Sequence, residues 1–342
     1  MDRERSWLIP FAVLAGMEWL WAFLLARFTS YPGVPEFAAH FRLAAILGCF
    51  MFAGFLVWRF VGLARNLQPH PSREIARQTR ENLPRFAALG VGLALIALHM
   101  ASFNWSKSIL PSAVPFWADP PLADFDDALF GMPAWRWTLQ LVGPASEVFR
   151  RAYGLWLPIH LIALACLVCF KPSDRKTRLI LAYILTWMIG TVVSYLASSA
   201  GPLFYGPLGF GDRFRDLIGQ PYLNGIPKTA AYLWNNYTQQ TAVAGGGISA
   251  FPSLHVAMAL WVAAVLRFHW AALIFFALVF VGSYLLGWHY FLDAPAGVAC
   301  FLFAYATAGQ YVVWARNRDV SKEAATATVP NHLVGETGEG VG

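Results

Sequence analysis

His255, His289 and Asp293 are conspicuous because so little else around them can carry charge. Between Phe251 and Asp293 the only charged or imidazole side chains are His255, Arg267, His269, His289 and Asp293, set among Ala, Val, Leu, Phe and Trp. An ionisable group inside an apolar run marks function by default. His289 and Asp293 are four residues apart, so one helical turn puts both on one face. The carboxylate can then hold one ring nitrogen and leave the other nucleophilic. His255 follows Pro252 and Ser253 at the entrance of an apolar helix, where free backbone N–H groups and the positive dipole end attract phosphate. Together these residues describe phosphoryl transfer without a metal. A zinc site would need a fourth protein ligand that the sequence does not offer. His99 and His160, each alone in an apolar run, read instead as packing residues.

The elements that hold this set are membrane helices. The chain of 342 residues is 58% hydrophobic and 13% charged, with a mean hydropathy of +0.50, far more apolar than a soluble domain. At about 20 residues per crossing, the expected fold is an all-α integral membrane protein of about eight transmembrane helices. They lie near 8–27, 42–64, 85–103, 147–170, 178–198, 252–267, 270–288 and 293–314. The first run is expected to stay as an uncleaved span, because Glu18 interrupts it and no small-residue cleavage site follows.

The net charge of +6 and pI of about 9.2 reflect topology and not nucleic-acid binding. Arg and Lys gather in 65–85, 171–178, at Arg267 and after 315, links that share one side if there are eight spans. That side, with both termini, is then cytoplasmic. The loops 104–146 and 199–251 and the link around His289 face the periplasm or lumen. Cys49, Cys166, Cys169 and Cys300 all sit in apolar runs and read as buried thiols.

In 104–146, Asp119, Asp124, Asp126 and Asp127 read as a solvated acidic face, and the segment with Trp135 and Trp137 reads as an interfacial helix. The Gly- and Pro-rich stretch 199–251 carries Arg213, Arg215 and Lys228 among aromatics and reads as a shaped lid. The expected organisation is N-terminal helices in 1–103, an external loop in 104–146, a catalytic membrane domain in 147–316 and a disordered cytoplasmic tail in 317–342.

FPSLHVA followed by GWHYFLDAPAG resembles the type 2 phosphatidic acid phosphatase superfamily, whose motifs read KxxxxxxRP, PSGH and SRxxxxxHxxxD. Pro252, Ser253 and His255 match the second; His289 and Asp293 match the third. The departures are Ser194 and Gly201 at the Lys and Arg positions of the first motif, Leu254 for Gly in the second, and Gly282 and Ser283 for Ser-Arg in the third. Pro202 is kept. The missing cations make the chain similar to the inositol phosphorylceramide synthase and sphingomyelin synthase branch.

The resemblance implies a helical bundle of the phosphatidic acid phosphatase type and a reaction needing no cofactor. His289 attacks phosphorus, His255 protonates the leaving alcohol, and Asp293 orients His289. It implies a phospholipid or lipid phosphate donor and a lipid or polyol alcohol as acceptor. Phosphate ligands are sought among the N–H groups after Pro252, Ser253, Arg213, Arg215, Lys228, Lys107, Arg150 and Arg151, with Arg213 and Arg215 preferred. Lipid phosphate or diphosphate hydrolysis is the alternative. A transporter, suggested by Glu18 and Arg59 within apolar runs, is more distant because the notable residues collect at one face.

Overall fold

The computed structural model describes residues 2–327, in which helices joined by loops are the regular structure and no strand occurs. The chain runs through α1 (Asp2–Phe28), α2 (Phe37–Arg65), α3 (Pro71–Glu81), α4 (Leu83–Ala113), α5 (Asp119–Phe130), α6 (Ala134–Val142) and α7 (Ser146–Gly154). It continues through α8 (Trp156–Cys169), α9 (Asp174–Leu196), α10 (Arg215–Ile218), α11 (Ile226–Thr238), α12 (Leu254–Val265), α13 (Trp270–Leu285) and α14 (Asp293–Ala327).

Five helices are long and apolar enough to cross a membrane: α1, α2, α4, α9 and α14. A bent pair of segments, Ala134–Gly154 and Trp156–Cys169, could form a sixth crossing. The spans expected at 252–267 and 270–288 are instead shorter apolar helices of 12 and 16 residues. At 1.5 Å per residue they rise about 18 and 24 Å, less than the roughly 30 Å hydrocarbon core. Side-chain caps set where they start: Ser253 Oγ accepts from Val256 N at 3.5 Å, and His269 Nδ1 from Ala271 N at 3.3 Å.

The core lies where α9 and α12 pack together against α1, α8 and α14. From Val256 to Val265 every side chain of α12 is buried, and Trp261 Nε1 donates to Leu179 O across to α9 at 2.9 Å. One end of this bundle is basic. Arg175 donates to the carbonyls of Ala264 and Val265 at the α12 terminus, each at 2.8 Å, and Arg85 to those of Cys169 and Phe170 beyond α8. Lys176 pairs there with Glu4 at 2.8 Å, both buried. Ser253 and His255 lie at the opposite end of α12.

Several expectations change. α4 runs ten residues past 103, so Lys107 is helical and not in a loop. The acidic stretch is a helix, α5, with Asp119 and Asp126 buried, where a solvated face was expected. Glu18 is paired with His99 inside the bundle. α14 stays helical through Ala327, well beyond 317, and the rest of the expected tail lies outside the described residues.

Candidate active site

Three connections meet at the site end of the bundle. The backbone N–H of Ser253 donates to Asp293 O at 2.9 Å, tying the start of α12 to the start of α14. His289 stands in the link before α14, not on a helix, yet its ring reaches Asp293. Nδ1 lies 2.8 Å from Ala250 O and 3.2 Å from Asp293 Oδ2. Both neighbours can only accept, so Nδ1 carries the proton and Nε2 keeps its lone pair. Ser253 Oγ, 3.1 Å from Nε2, is placed to donate to it. Asp293 Oδ2 is fixed in turn by the backbone N–H of Tyr290 at 3.0 Å.

His255 opens the first turn of α12, and its ring centroid is 6.0 Å from that of His289. Tyr153 stacks on it at 5.1 Å and Trp156 packs against it at 4.3 Å. A single phosphoryl group can meet both imidazoles across that gap.

The connections are held by α5, which sequence reasoning did not connect with the site. Asp119 accepts from Ser199 Oγ at 3.1 Å, Ala200 N at 2.9 Å, Gly201 N at 2.8 Å and Tyr290 Oη at 3.0 Å. One carboxylate thus joins the loop after α9 to the His289 link. Burial raises its pKa, opposed by those four donors. Asp126 accepts from Phe291 N at 3.2 Å. Burial pushes its pKa up to about 7, and the carboxylates of Asp293 and Asp127 add to the rise.

The missing family cations have a structural cause at Gly201. It has φ +95, and a Cβ there would lie 2.3 Å from Trp288 O. No arginine fits. Ser283 is fully buried with its hydroxyl on Phe280 O, and Leu254 fills the space left by Gly190, where a Cβ would lie 2.4 Å from its methyl.

Two cavities meet at the histidines. The larger, about 650 Å³, is walled by apolar residues of α2, α4, α8 and α9; the smaller, about 480 Å³, runs beneath α11 past Arg150, Asn224 and Tyr232. His255, His289, Lys107 and Ser249 line both. Lys107 has no ion-pair partner among the described residues. The two preferred arginines stand elsewhere. Arg213 is held by Asp124 and Asp127 at 2.7 and 2.5 Å, Arg215 is exposed at the start of α10, and neither lines these cavities. Two acids on α5 have claimed Arg213, and that pairing could not be read from spacing. Among the described residues no group of three His, Cys, Asp or Glu is placed to hold a metal.

A family model described as PAP2 superfamily matches residues 121–307, more than half of the chain. No curated protein and no solved structure matches it.

Proposed function

The chain belongs to the PAP2 superfamily, and on that premise we propose that it is a membrane enzyme that moves a phosphorylated head group from a lipid to a second alcohol. The observation that carries the reading is the pair of cavities sharing His255, His289 and Lys107. One is apolar enough for lipid chains; the other has Asn224, Thr229 and Ser249 on its wall for a polar partner. A hydrolase would need room for no more than water.

His289 Nε2 attacks phosphorus while the bond to the leaving alcohol breaks and protonated His255 gives that oxygen a proton. His255, now neutral, takes the proton of the incoming alcohol, whose oxygen attacks the phosphohistidine and returns His289 to its starting form. Asp293 and Ala250 O stabilise the positive charge that His289 gains. Lys107 meets the phosphate oxygens in place of Arg213 and Arg215, with the Ser253 hydroxyl beside it; Arg150, on the wall of the smaller cavity, is already held by Glu147 at 2.6 Å. No step calls for a metal ligand from the protein.

The basic end of the bundle faces the cytoplasm and the histidines face the periplasm or lumen. In that placement α12 and α13 complete the expected eight spans within the bundle. The resemblance to inositol phosphorylceramide synthases supports transfer over hydrolysis.

The test supplies purified full-length chain with labelled phospholipids, with and without ceramide, diacylglycerol or inositol. A new phosphodiester that requires the acceptor and is absent with His289→Ala is expected. Free phosphate released from a monoester without acceptor would identify a phosphatase instead.

A further inference from the structure

α2 is the least buried of the long helices. Of its 29 residues only Leu63, near the basic end, is buried. From Gly48 onward it lies on α4: a Cβ at Gly48 would stand 3.2 Å from Leu93, and Phe52 and Phe55 pack on Phe86 with centroids 5.6 and 5.2 Å away. Its first turns, at the site end, border the larger cavity instead. Ala39, Leu43 and Leu47, four apart on one face, line it with Ala44, and α8 adds Leu157 and Leu161. α2 packs against α4 and α3, and α8 against α12, α9, α7 and α4; among the described residues no substantial packing joins α2 to α8. Leu43 and Leu157 are 50% and 51% exposed, so a ligand in the gap can touch both.

The gap has the depth and chemistry of a lipid chain. On α4 its lining runs from Lys107 to Leu93, a rise of about 21 Å at about 1.5 Å per residue. One membrane leaflet with its head-group layer is about 20–22 Å thick. A lipid with its phosphate at Lys107 and the histidines would end its chains near Leu93, where α2 meets α4. The polar side chains on the wall are committed elsewhere. Asn104 donates to Val243 O at 2.6 Å, Thr191 to Trp187 O at 2.9 Å, Ser194 to Gly190 O at 2.9 Å and Tyr195 to Ser106 O at 2.7 Å. Tyr183 Oη is on Met100 Sδ at 3.6 Å, and His40 Nδ1 lies 2.8 Å from Glu36 O. The polar atoms of Tyr153, Trp156, His160 and Trp187 are buried out of a ligand's reach, and Thr229 and Ser249 stand where the smaller cavity joins. An apolar gap of this kind takes hydrocarbon and not water.

We propose that the site-end half of α2 is the outer wall of a seat, one leaflet deep, for an acyl chain of the donor lipid, open sideways to the membrane between α2 and α8. Ala44 and Leu47 on α2 and Leu161 on α8 read the chain, and a lipid of the leaflet on the site side enters without turning over. The seat rests on the reading that the larger cavity takes the lipid donor.

The test is binding without turnover, by native mass spectrometry of the full-length His289→Ala chain in detergent. The probes are dioleoyl and dihexanoyl phosphatidic acid. Ala44 lies one turn, about 6 Å, on the site side of Gly48, beyond the reach of a six-carbon chain. Adding Ala44→Trp is expected to weaken dioleoyl binding about tenfold, the loss of about two buried methylenes, and to leave dihexanoyl binding within about twofold. Leu161→Trp, on the other side of the gap, is expected to do the same. Ala45→Trp, the same change on an exposed neighbour that does not line the cavity, is expected to change neither. The two sides supply independent variants, so a folding failure in one leaves the other to decide. Unchanged dioleoyl binding, an equal loss of the dihexanoyl lipid, or a loss confined to one of the two helices overturns the seat alone. Failure of the His289→Ala chain to bind either lipid overturns the lipid reading and the seat with it.

Discussion

In the proposed reaction His289 is prepared for attack by what faces the other side of its ring. Two acceptors, Ala250 O and Asp293 Oδ2, hold the Nδ1 proton and leave Nε2 toward Ser253 and the cavities. Lys107 is the cation that meets both cavities with no carboxylate to neutralise it. Replacing it by Met is expected to lower kcat about 10²- to 10³-fold, as loss of one charged transition-state donor does. Steady-state kinetics would show this, and a change confined to KM would remove Lys107 from the phosphate. Asp126 ties pH to stability. Its pKa is raised from 3.8 to about 7, so the folded chain holds this proton more tightly than the unfolded one. The resulting stabilisation is full below about 3.8 and is lost as pH rises through about 7. Asp126→Asn keeps an acceptor for Phe291 N and has no proton to lose. Thermal unfolding of the wild type is expected to weaken from pH 6 to 8 relative to this variant. Parallel profiles would contradict the assignment.

At the scale of elements, the site is a junction of three chain reversals clamped by one short helix. α5 holds the loop after α9 through Asp119 and the His289 link through Asp126. Gly201 lets that loop pass against Trp288 O. Gly201→Ala forces a side chain onto a positive-φ residue and into that carbonyl, and about 1–3 kcal/mol of destabilisation is expected. Chemical denaturation in detergent measures it; an unchanged midpoint would mean that the loop has room to move. Sequence reading reached His255, His289 and Asp293 because charge in an apolar run is costly and therefore informative. It missed α5 for the converse reason. Aspartates near Pro and Gly are ordinarily exposed, and nothing local reveals that Asp119 meets donors 80 and more residues away. Lys107 was hidden differently. Asn104, Ser106 and Ser108 lower the hydropathy of the end of α4, so the helix reads as a loop where its polar residues approach the site.

At the scale of the whole molecule, the polarity runs from end to end. Arg85, Arg175 and Lys176 occupy one end, bonded to carbonyls beyond α8 and at the end of α12 or to Glu4, and the histidines occupy the other. The helical class and the basic links were legible because both follow from composition over long windows. The lengths of α12 and α13 were not, because these are short helices whose starts depend on single caps at Ser253 and His269. Between the two ends, the larger apolar cavity is, in the proposed reading, the lipid's path to the site, which the smaller cavity shares. The most direct check of this account is the identity of the covalent intermediate. Full-length chain would be mixed with a phospholipid donor in the absence of acceptor, stopped within one turnover, and digested at neutral to alkaline pH for peptide mass spectrometry. The account predicts a phosphorylated head-group adduct on His289 that disappears when the acceptor alcohol is added. An adduct on His255 or Ser253, or product formation with no adduct on His289, would contradict it.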